Sequence, residues 1–174
     1  MKAFDQQFYA VLAFVSRVLD VGAGQGDQAA ELADLGHIVV AIERRPVSFA
    51  HQNVEWHRAK IEDWIVTQPD GMFDAILLRH TIQFMAPAHV CDELVPHLKR
   101  LVRPGGIVAI ETFTKQPEPA FESDHPSYWH HAGLEALFKE YIVDLSDDVE
   151  ETYIGMDGVE RHWYLTRFIA RKPE

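Results

Sequence analysis

A glycine-rich turn directly after an apolar strand is the feature that most constrains the fold of this chain. Residues 18–26 read VLDVGAGQG, so the strand carries Asp20, and glycines follow at positions 22, 24 and 26. Glycine permits positive φ angles and lets a ligand approach the main chain closely, and the helix expected next offers unpaired N–H groups at its N-terminus. A plain strand–turn–helix connection needs only one well-placed glycine. Three glycines after an acid therefore favour a nucleotide-like cofactor.

The spacing of these glycines separates two classes of cofactor. The dinucleotide fingerprint is G-x-G-x-x-G, whereas here the third glycine comes one residue early and Asp27 fills its position. Asp20 would repel a pyrophosphate but attract a cationic amine or sulfonium. Residues 20–26 resemble the first motif of the class I S-adenosylmethionine (AdoMet)-dependent methyltransferases, which is an acid, any residue, then G-x-G-x-G. The resemblance implies AdoMet as cofactor, S-adenosylhomocysteine as product, and these binding residues: Asp20, Gly22, Ala23, Gly24 and Gly26.

The composition indicates one globular domain. The chain has 174 residues, of which 47% are apolar and 25% charged, so we expect a single domain over residues 1–174.

A net charge of −11, with no lysine- or arginine-rich run, argues against nucleic acid as a partner. Cys91 is the only cysteine, which excludes a cysteine-rich metal site, and we expect no metal. The apolar stretch 8–15 is too short to span a membrane and is a poor signal peptide, so we expect a cytoplasmic protein.

Strands and helices alternate along most of the chain, which predicts a parallel sheet with helices on both faces. The expected strands are 17–21, 37–42, 54–58, 73–78 and 107–112, followed by an antiparallel pair at 142–150 and 163–171. The expected helices are 4–14, 27–35, 46–52, 61–66, 88–101 (kinked at Pro96) and 133–141. The fold class is therefore α/β. The resemblance makes it a three-layer αβα sandwich with a mostly parallel, doubly wound seven-stranded sheet.

Polar side chains follow five of the predicted strands. They are Asp20, then Glu43, then residues 60–62, then Arg79 and His80, then Glu111 and Thr112. Because ligands bind beyond the carboxyl ends of strands in open α/β sheets, these residues predict a binding site at one edge of the sheet.

Glu43 lies at the distance from the glycine turn at which an acid binds the two hydroxyls of a ribose. The alternative is an exposed glutamate that pairs with Arg44 or Arg45. Relatives place an acid for the adenine amino group directly after the third strand. Here that position is Lys60, which cannot accept a hydrogen bond. Either Glu62 or Asp63 therefore contacts the adenine amino group, or adenine is held mainly by the backbone and by Ile61. Arg44 and Arg79, two basic residues at strand ends, complete the expected cofactor pocket.

The residues after the fourth strand bear on the substrate. They lack the Asn/Asp-Pro-Pro-Tyr-like motif of enzymes that methylate bases or glutamine, and the pattern resembles small-molecule methyltransferases, including the tellurite-resistance group. His80 is the candidate general base, because an imidazole can take a proton near neutral pH. The alternative is that His80 caps or packs under the next helix. If the irregular segment 114–131 folds over the cleft, three of its residues become candidates to face the substrate: His125, Tyr128 and His131.

These patterns predict an AdoMet-dependent methyltransferase that acts on a small molecule such as a thiol, an oxyanion or an amine. Two alternatives stay open at this point. One is an NAD-type oxidoreductase, which the glycine spacing disfavours. The other is a non-catalytic AdoMet-binding module that acts through a partner protein. The oligomeric state is not predicted.

Overall fold

A seven-stranded sheet forms the centre of the structure, a computed structural model that describes residues 3–120, 127–155 and 157–174. The strand order is β3-β2-β1-β4-β5-β7-β6. Strands β1 to β5 are parallel, and β7 runs antiparallel to both β5 and β6. The strands are β1 (Arg17–Val21), β2 (Ile38–Glu43), β3 (Val54–Arg58), β4 (Phe73–Arg79), β5 (Val102–Phe113), β6 (Ile142–Ile154) and β7 (Glu160–Arg171). The predicted topology, with its antiparallel C-terminal pair, is confirmed.

Helices cover both faces of the sheet. They are α1 (Ala3–Val11), α2 (Asp27–Asp34), α3 (Ile61–Ile65), α4 (Pro87–His89), α5 (Val95–Leu101) and α6 (His131–Leu137). Phe4 and Phe8 of α1 pack on one face with Leu32 of α2, whereas Leu98 of α5 and Leu134 of α6 pack on the other. The central strands are nearly continuous apolar runs because both of their faces are buried. Within the described residues, no helix is long and apolar enough to cross a membrane.

Residues 88–101 are helical, as predicted. The helix is interrupted one turn before Pro96, the residue that was expected to kink it. A π-helical turn at Val90–Leu94 separates α4 from α5. Proline has no N–H to donate to the residue four positions earlier, so the wider turn lies where regular α-helical bonding fails.

The predicted helix at 46–52 is wrong. Residues 46–50 have no regular secondary structure, although Pro46 suits a first helical turn. Phe49 packs instead against Trp56 of β3, with ring centroids 4.8 Å apart. Its ring also lies 2.3 Å from where a Cβ on Gly26 would be. This tertiary packing outweighs the weak local preference for a helix.

Candidate functional site

The three glycines of the turn all have positive φ angles: +74° at Gly22, +61° at Gly24 and +90° at Gly26. A Cβ on Gly22 would lie 2.5 Å from Thr81 Oγ1, and one on Gly26 would meet Phe49, so packing within the protein explains both residues. At Gly24 the nearest described atom is Arg45 Nη2, 3.8 Å away. The turn therefore leaves open space in front of Gly24.

Glu43 ties the end of β2 to this turn. Its carboxylate is 5% exposed and accepts four N–H groups. Gly24 N and the Arg45 backbone N lie 2.9 Å away, and Arg45 Nε and Nη2 lie at 3.0 and 3.3 Å. Burial alone would raise the pKa of Glu43, but these hydrogen bonds outweigh it and hold the pKa below its usual value. Glu43 is thus an ionised hydrogen-bond acceptor next to Gly24, and in this structure its carboxylate is paired with Arg45.

Asp20 is a buried carboxyl group without a full set of partners. It is 2% exposed, and its Oδ2 atom has no hydrogen-bond partner in the part of the chain that the structure describes. Burial raises the pKa of Asp20 to about 7, and the negative charge of Glu43 adds to this, while Arg79 opposes it. A buried carboxyl group in this position is suited to receive a cationic group.

Arg79, at the end of β4, connects four elements. Its Nε donates to Glu111 Oε1 at 2.9 Å, and its Nη1 donates to Gln28 Oε1 of α2 at 2.7 Å. Nη1 also lies 2.9 Å from Asp5 Oδ1 of α1. The remaining nitrogen, Nη2, is buried and has no hydrogen-bond partner among the described residues. Sequence analysis found Arg79 and Glu111 but missed Asp5 and Gln28, because these two lie on helices and not at strand ends.

His80 follows Arg79 in an unusual backbone conformation, with φ +50°. Its backbone N–H donates to the carbonyl oxygen of Glu111 at 2.8 Å, and its Nε2 lies 3.3 Å from Glu111 Oε1. The imidazole packs against the ring of Phe113, with centroids 5.1 Å apart. A positive φ is uncommon for a residue other than glycine, and such strain is often found at functional sites.

Buried polar atoms without hydrogen bonds are concentrated at this edge. Such atoms are few in native proteins, and each requires an explanation. Of the thirteen found among the described residues, seven belong to the carboxyl edge of β1, β4 and β5 or to the adjoining end of β7. They are Asp20 Oδ2, Arg79 Nη2, both ring nitrogens of His80, Gln83 Nε2, Glu111 Oε2 and Arg167 Nε. This edge is therefore the best candidate for a binding site.

Other residues predicted for the pocket are distributed more widely. Ile61 is buried in the core at the start of α3, while Arg44 is exposed. Glu62 lies 3.2 Å from His89 Nε2, so its carboxylate already has a partner on α4. The structure thus brings Asp20, Glu43, Arg79 and His80 together, but it gives Glu62 no contact with them.

Of the residues predicted to face the substrate, Tyr128 lies in a stretch whose main chain bonds this edge: Ser127 N donates to Gln83 O at 2.7 Å, and Trp129 N donates to Phe113 O at 2.8 Å. Tyr128 is 40% exposed, and its hydroxyl donates to Gln116. His131 Nδ1 lies 3.0 Å from Asp148 Oδ2 on β6. β4, β5 and β7 separate β6 from β1, so the strand that His131 contacts lies about 19 Å across the sheet from β1 at ~4.8 Å per strand. His125 lies outside the described residues.

The sheet order, the antiparallel β7 and the glycine turn together define the fold of class I AdoMet-dependent methyltransferases. The chain belongs to the methyltransferase domain family, whose model matches residues 19–110, more than half of the chain. Family membership confirms the resemblance noted in the sequence and disfavours the NAD-type alternative.

Curated relatives match part of the chain. A ubiquinone biosynthesis O-methyltransferase of Xanthomonas campestris pv. campestris is 32% identical over 113 residues, which are 59% of this chain and 45% of that protein. A 27-O-demethylrifamycin SV methyltransferase of Amycolatopsis mediterranei is 27% identical over 117 residues, 60% of this chain and 41% of that protein. The chain thus spans less than half the length of these relatives.

Solved structures match nearly the whole chain. A 1,6-didemethyltoxoflavin-N1-methyltransferase of Burkholderia thailandensis, with S-adenosylhomocysteine bound, has a TM-score of 0.73 and 20% identity, and the match covers 99% of this chain and 78% of that one. TehB from Haemophilus influenzae has a TM-score of 0.78 and 14% identity, with 99% and 62% covered. At these identities the likeness shows the fold alone.

Proposed function

We propose that this chain acts as a single domain that transfers the methyl group of AdoMet to a small-molecule nucleophile such as a thiol, an oxyanion or an amine. The observation that carries the proposal is the buried oxygen of Asp20 that has no partner among the described residues, at the end of the strand that leads into the open turn at Gly24. The names of two relatives, an O-methyltransferase and a toxoflavin N1-methyltransferase, support small molecules as acceptors. The net charge of −11 gives no support to a nucleic acid acceptor.

The residues at this edge fit the parts of AdoMet. Asp20 would hold the α-ammonium group, and the open main chain at Gly24 would allow the cofactor to approach closely. Glu43 would accept hydrogen bonds from the ribose hydroxyls. Arg79 Nη2 is available for the carboxylate, Ile61 and Glu62 are the proposed neighbours of adenine, and Arg44 is a further proposed contact of the cofactor. When bound, AdoMet supplies a methyl group on an electrophilic sulfonium.

Arg45 must move for the ribose to bind. A carboxylate has about four lone-pair directions, and at Glu43 four N–H groups already use them. Two of these donors belong to the Arg45 guanidinium, which is 54% exposed. Because the guanidinium is half exposed and can return to water, the ribose hydroxyls can replace its two hydrogen bonds while Gly24 N keeps its bond.

The protein's part in the reaction is to align the acceptor and exclude water, which raises the effective concentration of the reactants. An acceptor that arrives protonated must also lose a proton. His80 is the proposed base, because its ring lies at the end of β4 beside Phe113 and its buried Nδ1 has no partner among the described residues. An acceptor that is already an anion needs no base.

We expect AdoMet affinity to rise with pH. Because the pKa of Asp20 is raised to about 7 in the free protein, its ionised form becomes populated as the pH increases through 7. If the ionised form binds the ammonium group, the dissociation constant falls about fivefold between pH 6 and pH 7, below the pH at which an α-ammonium group loses its own proton (about 7.7–8.0). Asp20→Asn should weaken binding at pH 8 and remove this part of the pH dependence.

Unfolding measurements provide the control for that prediction. A carboxyl group with a raised native pKa binds more protons in the native than in the unfolded state between about pH 4 and 7, so its contribution to stability falls as the pH rises through this window. Asp20→Asn should flatten this slope. An AdoMet affinity that is unchanged in this variant would contradict the assignment of Asp20.

Replacement of His80 should separate chemistry from cofactor binding. We expect His80→Asn to reduce kcat for protonated acceptors by roughly a hundredfold, with little change in the AdoMet dissociation constant. S-adenosylhomocysteine release would be measured with a panel of thiols, amines, phenols and selenite. His51→Asn is the matched control, since His51 pairs with Asp34 at the end of α2.

Two results would count against these assignments. If His80→Asn loses AdoMet affinity, His80 belongs to the cofactor pocket and is not the base. If the wild-type protein binds AdoMet but turns over none of the acceptors, the non-catalytic binding module becomes the better interpretation.

A further inference from the structure

Glu111 is the most enclosed charged group at the candidate site. It is 0% exposed, and it contacts His80 twice. Its carbonyl oxygen accepts the His80 N–H at 2.8 Å, and its Oε1 lies 3.3 Å from His80 Nε2. The main chain of Glu111 therefore fixes the backbone of His80, and its carboxylate lies in ion-pair contact with the imidazole, without the alignment of a hydrogen bond.

Two arginines lie against this carboxylate. Arg79 Nε donates to Glu111 Oε1 at 2.9 Å, and Arg167 Nε lies 3.5 Å from Oε2. The sheet register places these three residues in one row, because Arg79 pairs with Glu111 and Glu111 with Arg167. Burial alone would raise the pKa of Glu111, but His80 and Arg79 lower it to about 2. Such a carboxylate does not take up a proton near neutral pH, so Glu111 is not itself the base.

The charged side chains around Glu111 alternate between acidic and basic. Asp5 of α1 pairs with Arg79, and Glu151 of β6 pairs with Arg167. The charged or titratable groups that face Glu111 and His80, directly or through these arginines, are Asp5, Asp20, Arg79, Tyr153, Glu151 and Arg167. Both arginines thus have a second acidic partner, and Glu111 keeps a negative charge available for His80.

We propose that Glu111 is a positioning residue that holds the Nε2–H tautomer of His80 and leaves Nδ1 as the atom that accepts the proton of the methyl acceptor. When the acceptor's proton moves to Nδ1, the imidazolium keeps Nε2–H directed at Glu111, whose charge balances it. The proton leaves to solvent after turnover. This inference rests on the proposed function, since His80 acts as a base only if the acceptor arrives protonated.

The backbone of His80 supports this assignment. A φ of +50° is unfavourable for a residue with a Cβ, and it persists because the Glu111 carbonyl and the Phe113 ring hold the residue in place. A histidine that only packed against the next helix would not need a buried carboxylate at its Nε2. The strained backbone of His80 and the carboxylate at its Nε2 together indicate that Glu111 and Phe113 hold the imidazole ring in one orientation.

The test compares Glu111→Gln with Arg167→Gln. Glu111→Gln removes the negative charge, so the imidazolium is less stable and the acid limb of the kcat–pH profile should move about one unit to lower pH. Arg167→Gln removes a competing positive charge and should move the limb to higher pH. Shifts of opposite sign are not expected from a loss of packing. We also expect kcat at the plateau to fall roughly tenfold in Glu111→Gln.

A second readout does not depend on turnover. The ring ¹⁵N shifts of His80, assigned by comparison with His80→Asn, report which ring nitrogen carries the proton. We expect Nε2–H in the wild-type protein and in Arg167→Gln, and a mixture of tautomers in Glu111→Gln. If Glu111→Gln does not fold, the kcat–pH profile of Arg167→Gln tests the role of Glu111: a shift of the acid limb to higher pH supports it, and no shift or a shift to lower pH contradicts it.

The outcomes distinguish this inference from the proposed function. If no acceptor is methylated but the tautomer changes as described, the proposed function fails while Glu111 still orients His80. If turnover occurs but both variants keep the wild-type tautomer and acid limb, or shift the limb in the same direction, the role of Glu111 is overturned.

Discussion

Replacing Gly24 with valine should abolish measurable AdoMet binding, with a loss of affinity of roughly a hundredfold or more. Gly24 has φ +61°, and the space in front of it is open, so a branched side chain would enter the volume proposed for the cofactor. Titration calorimetry measures the loss, and circular dichroism tests that the fold is retained.

Gly36→Val is the matched control for this variant. Gly36 also has a positive φ, +94°, and no described atom lies within 4 Å of the position of its Cβ. The backbone strain introduced is therefore similar, but Gly36 lies at the other end of α2, away from the glycine turn. Equal AdoMet affinity in the two valine variants would refute the assignment of the turn as the cofactor site.

Glu43→Ala should weaken AdoMet binding by roughly 1.5–3 kcal/mol, or about ten- to a hundredfold in the dissociation constant. The substitution removes the proposed acceptor of the ribose hydroxyls and also frees Gly24 N, which Glu43 Oε2 fixes at 2.9 Å. Equilibrium binding at constant pH and salt measures the effect.

Arg45→Met provides the comparison for Glu43→Ala. It breaks the same ion pair from the other side and leaves the carboxylate accessible, so AdoMet should bind as tightly as to the wild-type protein or more tightly. A loss of affinity in Arg45→Met as large as that in Glu43→Ala would show that the ion pair, and not the acceptor role of Glu43, is what binding requires.

The sequence predicts this fold well where local patterns and tertiary packing agree. The glycine turn, the continuous apolar runs of β2 and β4 and the irregular helix around Pro96 all follow from backbone preferences and burial. The segment after Pro46 differs, because Phe49 packs against Trp56, a contact that no local pattern encodes.

The candidate site also combines residues that local patterns reveal with residues that only tertiary packing brings together. The ends of strands can be recognised in a sequence, so Asp20, Glu43, Arg79 and Glu111 can be identified from their positions at strand ends. Asp5 on α1 and Arg167 on β7 are separated from Arg79 by many residues along the chain. Only the packing of α1 and the pairing of β5 with β7 bring them to the site.

Titration calorimetry of the unmodified protein with AdoMet, S-adenosylhomocysteine and NAD at pH 8 tests the central claim most directly. We expect AdoMet and S-adenosylhomocysteine each to bind at one site, because both carry the ammonium group and the ribose that Asp20 and Glu43 are proposed to hold. NAD should give no heat of binding, because its pyrophosphate would lie against Asp20. Binding of NAD with no response to AdoMet would contradict the proposed function and the cofactor site on which it depends.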